Sequence, residues 1–187
     1  MNVDIYTHNY NELTEKQGRS TAGADDFKIE KDLLIQCGYK PGMSILDYGC
    51  GWGSLLEVIN DYGSYEGVDI SPFMINLAKQ QFPKNNFKVS KIGDVKTIKK
   101  DIVVAHSVFT HIPKDILSEA LSDVRNNIKD TGFIIIDIFY EGTGTVNYNH
   151  VEWLNLLKEN NLLGVFIKSR NRNEYYVHNY YKLTKGI

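Results

Sequence analysis

Ser44-Ile45-Leu46-Asp47-Tyr48-Gly49-Cys50-Gly51-Trp52-Gly53-Ser54-Leu55 is the stretch that decides the fold. A short apolar run leads into three glycines at alternate positions and then into a new apolar start, the pattern of a strand, a tight turn and a helix. Glycines let the backbone of such a turn take conformations closed to other residues and bring its N–H groups against a bound molecule. Further on, the short apolar segment Tyr65-Glu66-Gly67-Val68 ends in Asp69. A carboxylate at that strand tip can accept hydrogen bonds from both hydroxyls of a ribose. The loop and the acid together point to a nucleoside-containing ligand.

Details of the loop narrow the ligand. A dinucleotide site spaces its glycines GxGxxG and aims a helix N-terminus at a pyrophosphate. Here Asp47 stands two residues before Gly49, followed by Gly51 and Gly53. An acid there repels a pyrophosphate, which disfavours a nicotinamide dehydrogenase, and suits a ligand carrying an ammonium and a sulfonium.

With residues 45–53 read this way, the loop resembles the first motif of the class I S-adenosylmethionine-dependent methyltransferases. The resemblance continues in register through Gly67-Val68-Asp69-Ile70-Ser71, Gly93-Asp94-Val95, residues 101–107 and residues 132–137. It implies S-adenosyl-L-methionine as cofactor and S-adenosyl-L-homocysteine as product. By resemblance, Asp47 and the loop of Gly49, Cys50, Gly51 and Gly53 hold the methionine part, and Asp69 holds the ribose. Ile70 covers one adenine face, Asp94 and the Val95 N–H meet the adenine edge, and His106 offers its carbonyl to the ammonium. Read from the residues alone, Asp69 equally serves as a cap for the helix after Ser71, and Asp94 as a turn residue after Gly93.

The remaining chain reads as alternating strands and helices. Its 187 residues, 42% hydrophobic and 24% charged, suit one domain with a proper core. Residues 1–24 are polar and read as an arm or lid, with the methyltransferase-like domain over 25–187. Asp25 or Asp26 caps a helix carrying Phe27, Leu33, Leu34 and Cys37 that stops at Gly38. Ser71-Pro72 opens another, with Met74, Leu77, Ala78 and Gln81 on one side. Strands are expected over 86–91, 102–107 and 133–139, and a helix opened by Pro113 carries Ile116, Leu117, Ala120, Leu121, Val124 and Ile128 at helical spacing. A last helix over 151–160 precedes a closing hairpin of 162–169 and 174–183. The expected fold is α/β: a doubly wound, seven-stranded, mostly parallel sheet with an antiparallel last strand.

Several function classes are disfavoured. The net charge of −2 and pI near 6.2 provide no extended basic surface for nucleic acid. Lys168, Arg170, Arg172, Lys182 and Lys185, with Glu174 among them, read as a solvated face. The Asn/Asp-Pro-Pro-Tyr/Phe element of exocyclic-amine enzymes is replaced by Ala105-His106-Ser107-Val108, and neither cysteine follows a proline as in cytosine C5 enzymes. Cys37 and Cys50 build no disulfide framework, Cys50 reads as a small residue filling a turn, and no His/Cys cluster suggests a metal. With no signal-like start and no long apolar run, a cytoplasmic protein without a membrane partner is expected.

Methyl transfer from a sulfonium asks the protein to align a nucleophile, exclude water and, for a hydroxyl, remove a proton. His111 is the first candidate for that general base, against the plainer reading of a histidine packed at a helix start. Phe109 walls the substrate or packs in the core. Tyr140, Glu141, Tyr148 and His150 flank the glycine-containing loop Gly142-Thr143-Gly144 and are expected at the substrate mouth. Tyr10, Lys16 and Arg19 in the arm could fold over the cofactor, with Arg19 pairing its carboxylate. Residues 107–111 resemble an element of small bacterial methyltransferases that modify sugars and polysaccharides. The expected activity is methyl transfer to a hydroxyl or amine of a small polar molecule. The alternatives are a protein or nucleic-acid methyltransferase, or a cofactor-binding subunit without activity of its own.

Overall fold

A computed structural model of the chain describes residues 3–17, 24–139, 149–171 and 177–186. Seven strands form one sheet: β1 (Ser44–Tyr48), β2 (Ser64–Asp69), β3 (Asn86–Val89), β4 (Lys100–Ala105), β5 (Ile128–Phe139), β6 (Leu162–Asn171) and β7 (Val177–Lys185), in the order β3-β2-β1-β4-β5-β7-β6. The first five run parallel, and β7 lies antiparallel between β5 and β6. Strand order therefore reverses between β1 and β4, which places a ligand crevice beyond the carboxyl ends of those two strands.

A parallel sheet needs both faces covered, and the alternation along each strand supplies two apolar surfaces. Leu46, Val103, Ile134 and Ile136 face helices α4 (Leu117–Asn126) and α5 (His150–Glu159), meeting Leu117, Leu121 and Trp153. On the opposite face, Ile45, Ile102, Val104 and Ile135 meet Leu34 and Cys37 of α2 (Ala24–Cys37) and Ile75 and Ala78 of α3 (Pro72–Gln81). Local signals set the helix ends. The Ser71 side chain accepts from Met74 N with Pro72 at the first helical position, and Asn149 with Glu152 forms a capping box on α5. Gly38, at φ 105, ends α2.

Four local expectations differ from the structure. The glycine loop leads into one 3-10 turn, Ser54–Glu57, instead of an α-helix, because the chain must return to β2 at Ser64 and only Leu55 of that turn is buried. The helix after Pro113 starts as a 3-10 turn, Lys114–Ile116, and ends at Asn126, so Ile128 opens β5. Strands β3 and β4 stop at Val89 and Ala105, short of the expected ends, and the hairpin residues 174–176 lie outside the described residues. The polar N-terminal segment contains a helix, α1 (Val3–Gln17), which lies against α3. Its Val3 packs on the core, and Asp4 pairs with Lys91 Nζ at 2.7 Å. A run without glycine or proline had room for a helix that its polarity concealed. Among the described residues, no helix is long and apolar enough to cross a membrane.

Candidate functional site

The crevice predicted by the topology is present. A cavity of about 500 Å³, open mouth included, is lined by Tyr48, Gly49, Asp69, Ile70, Val95, Val108 and His111, with Val68, Ser90, Ile92, Ser107 and Ile112 completing its walls. Gly49, Gly51 and Gly53 all take positive φ, at 73, 52 and 84. Gly49 N and Cys50 N both donate to Val68 O, at 2.8 and 3.0 Å, tying the loop to the end of β2.

Asp69 joins the two motifs. Gly51 N donates to its Oδ2 at 2.9 Å and Ser71 N to its Oδ1 at 2.8 Å. The carboxylate thus braces the loop and the start of α3 at once. An ionised carboxylate accepts about four hydrogen bonds, and the Gly51, Ser71 and Ile70 N–H groups draw on three of these positions. The cap of α3 is Ser71 itself, and Asp69 holds the Ser71 backbone in place. Burial raises its pKa, against the lowering pull of the Ser71, Gly51 and Ile70 N–H groups.

Other expected cofactor residues divide between the cavity and its support. Ile70 and Val95 line it. Asp47 is buried on the β1 face opposite Tyr48 and accepts from Tyr65 OH at 2.6 Å, beneath the loop and outside the lining. Cys50 is buried, and burial, with Asp47 and Asp69 adding to it, pushes its thiol well up, so it stays protonated. Gly53 sits against Phe82 and Phe87. The Asp94 side chain is exposed and outside the lining.

The wall beyond Val95 is organised by residues that the sequence reading did not single out. Asp123 on α4 accepts at Oδ2 from Gly93 N at 2.8 Å and from Tyr48 OH at 3.1 Å, while Asn127 Nδ2 donates to Val95 O at 2.8 Å. An acid on the apolar face of α4 was the available signal. Burial, opposed by the Gly93 N–H and the Tyr48 hydroxyl, raises the Asp123 carboxyl from the ordinary 3.8 to about 6. A folded-state pKa above the unfolded one gives stability that is present below about pH 4 and lost as pH rises through about 6. Asp123→Asn, which keeps an acceptor for Gly93 and Tyr48 but carries no charge, is expected to gain stability relative to the native chain as pH rises across that window. Urea midpoints of both chains at about pH 4.5 and 7.5 test this. An offset that does not change with pH would refute it.

Beyond β4, Ser107 takes a left-handed φ of 53, turning the chain so that Val108 and His111 reach the cavity. Although His111 keeps an exposed edge, desolvation by the surrounding cavity wall holds its ring below the ordinary histidine value of 6.5, with Asp137 pulling upward and His178 downward. Phe109 is buried between Tyr48 and Trp153, with ring centroids at 6.2 and 6.3 Å, and belongs to the core. His150, the first residue of α5, contacts Tyr181 OH through Nδ1 at 2.8 Å and does not line the cavity. Lys16 pairs with Glu12 on the exposed side of α1 at 3.8 Å. Tyr140, Glu141, Tyr148 and Arg19, and the side chain of Tyr10, lie outside the described residues.

A second polar group gathers next to His111. His106 follows β4 with its side chain 19% exposed, and its ring stacks on that of His178 from β7, with centroids 5.7 Å apart. Asp137, fully buried on β5, meets His178 Nδ1 at 2.5 Å and accepts from Ser107 N at 2.5 Å. Burial alone would raise the Asp137 carboxyl, but His106, the His178 hydrogen bond and the Ser107 N–H together hold it below the usual range. Neither Asp137 nor His178 was picked out from the sequence as a site residue. The signal for the first was a lone charge inside the apolar run Phe133-Ile134-Ile135-Ile136-Asp137-Ile138-Phe139.

Residues 39–178 match a family model described as a methyltransferase domain. Cyclopropane mycolic acid synthase 2 of Mycobacterium leprae (strain TN) is 30% identical over 119 residues, which cover 61% of this chain and 37% of that protein. The chain spans less than half the length of the curated relatives it matches. Among solved structures, magnesium protoporphyrin IX methyltransferase from Synechocystis PCC 6803 with bound SAH superposes with a TM-score of 0.77 at 17% identity, covering 98% of this chain and 100% of that one. A SAM-bound amino pentose methyltransferase from Micromonospora echinaspora superposes with a TM-score of 0.72 at 11% identity, over 94% and 96% of the two chains. At these identities the likeness is one of fold.

Proposed function

The chain belongs to the class I S-adenosylmethionine-dependent methyltransferase family, and from that premise we propose that it binds S-adenosyl-L-methionine in the β1–β4 crevice and methylates a hydroxyl or amine of a small polar molecule, such as a sugar or polysaccharide precursor. The observation that carries the cofactor reading is Asp69. Its carboxylate lines the cavity and is fixed by the Gly51 and Ser71 N–H groups, with acceptor capacity left for a ribose hydroxyl. Ile70 and Val95 offer apolar contact for the adenine, and the left-handed glycine loop offers backbone to the methionine end.

The protein's own part in the chemistry is modest. The acceptor oxygen or nitrogen attacks the methyl carbon in line, the S–C electron pair passes to sulfur, and S-adenosyl-L-homocysteine leaves. For a hydroxyl, the proton goes to a ring nitrogen of His111, which desolvation keeps neutral and able to accept it. A small polar acceptor suits a sheet whose strands, among the described residues, are joined by short helices and turns. The fold likeness to an amino pentose methyltransferase supports a sugar as one such acceptor.

Calorimetric titration with S-adenosyl-L-methionine and S-adenosyl-L-homocysteine tests the reading. Micromolar affinity, about −8 kcal/mol, is expected for the native chain. Asp69→Asn should bind at least about tenfold more weakly, since a charge-assisted hydrogen bond contributes roughly 1.5–3 kcal/mol. A folded native chain that binds neither compound would overturn the proposal.

A further inference from the structure

Three side chains from three neighbouring strand ends converge beside the cofactor crevice: His106 just past β4, Asp137 near the end of β5 and His178 near the start of β7. One nitrogen or oxygen from each lies within 4.8 Å of the others. We propose that this cluster is a binding site for one divalent transition-metal ion of the zinc or cobalt kind.

Donor chemistry selects that class. Two imidazoles with one carboxylate suit borderline ions such as Zn2+, Co2+ or Fe2+, whereas Mg2+ and Ca2+ take oxygen donors. Burial points the same way. The Asp137 and His178 side chains are 0% and 3% exposed, and a carboxylate so far from water needs a counter-charge at close range. A divalent ion would supply it.

The geometry requires only small adjustments. His178 Nδ1 is 2.5 Å from Asp137 Oδ2, and His106 Nδ1 is 3.9 Å from Oδ1. Ligand atoms around a tetrahedral zinc stand about 3.3 Å apart, given Zn–N and Zn–O distances near 2.0–2.1 Å. These two contacts therefore move by less than about 1 Å, and all three ligand atoms start within 4.8 Å of one another. The outer partners that a metal site uses to orient its ligands are also in place. Ser107 N, aimed by its left-handed turn, donates to Asp137 Oδ1, and the Tyr180 ring stacks on His178 with centroids 6.0 Å apart. His106, the most exposed of the three, marks the side from which an ion enters. No local sequence motif displays the set, because the residues come from separate strands.

The test needs no methyl transfer, so it stands or falls apart from the activity proposed above. The full chain, stripped with a chelator, is titrated with ZnCl2 by calorimetry and with CoCl2 by visible absorption. Saturation at one equivalent with appearance of cobalt d–d bands is expected, and His106→Gln and Asp137→Asn should each weaken zinc binding by about 100-fold or more. His106→Gln lies at the half-exposed edge, so it keeps the test decisive if Asp137→Asn fails to fold. His8→Gln is the surface control, because His8 lies 3.4 Å from Glu12 on α1. It should leave binding unchanged. No stoichiometric binding by the folded chain, or binding that survives His106→Gln, overturns the site.

Discussion

Exchange of His111 for alanine is expected to lower turnover on a hydroxyl acceptor by about 10²–10⁴-fold, the usual contribution of a positioned general base, with a far smaller change in cofactor affinity. The asymmetry follows from position. Asp69 is hydrogen-bonded to Gly51 of the glycine loop, while His111 lines the cavity on a separate segment with Val108 and Ile112. An alkyl hydroxyl is almost wholly protonated near neutral pH. Its oxygen becomes an effective nucleophile only as the proton departs, and desolvation keeps the His111 ring in the form that can receive it. His111→Gln, similar in size but unable to take up a proton, should fall nearly as far as alanine. Initial rates of labelled methyl transfer, set beside calorimetric affinities, separate the two effects. Full turnover in both variants would remove the base assignment and favour an amine acceptor with its lone pair already free.

Much of the candidate crevice was legible because its glycine loop and the end of β2 are local in sequence. The glycine loop and Asp69 lie near each other along the chain, and the continuous apolar strands left few ways to order a parallel sheet. Legibility ended where function depends on which strands become neighbours. Asp137 and His178 meet only because β7 inserts between β5 and β6, in a register that sets Asp137 opposite Tyr180 and Phe139 opposite His178. Nothing in either strand taken alone specifies that pairing. The same limit explains Asp47. Its place before the loop was visible, but not the Tyr65 hydroxyl on the neighbouring strand that it meets. Tertiary packing decided the aromatics: Phe109 fills the space between Tyr48 and Trp153, and His150 reaches Tyr181. Residue type alone could not distinguish such packing from a place at the substrate mouth.

Gly49→Ala should be the most damaging single-methyl change in the loop, costing about 2–5 kcal/mol of stability and at least about tenfold in cofactor affinity. Two causes add. A left-handed backbone, here at φ 73, costs a residue with a side chain roughly 1–2 kcal/mol. The new Cβ would also stand 2.4 Å from Val108 Cγ2, 3.1 Å from Cγ1 and 3.3 Å from Cβ. Rotation of a β-branched side chain cannot clear all three contacts, so the Val108 backbone must shift, at an overpacking cost of roughly 1–3 kcal/mol. That shift carries the site with it, because Val108 O accepts from His111 N at 3.0 Å and both residues wall the cavity. Gly51→Ala isolates the first cause. Its φ of 52 is also left-handed, yet nothing lies within 4 Å of the added Cβ, so only the conformational cost applies. Urea unfolding of the two variants should therefore place Gly49→Ala well below Gly51→Ala, and titration with S-adenosyl-L-homocysteine should rank them the same way. Equal losses in both would mean that Val108 yields freely, and that the wall between the glycine loop and His111 is softer than its contacts imply.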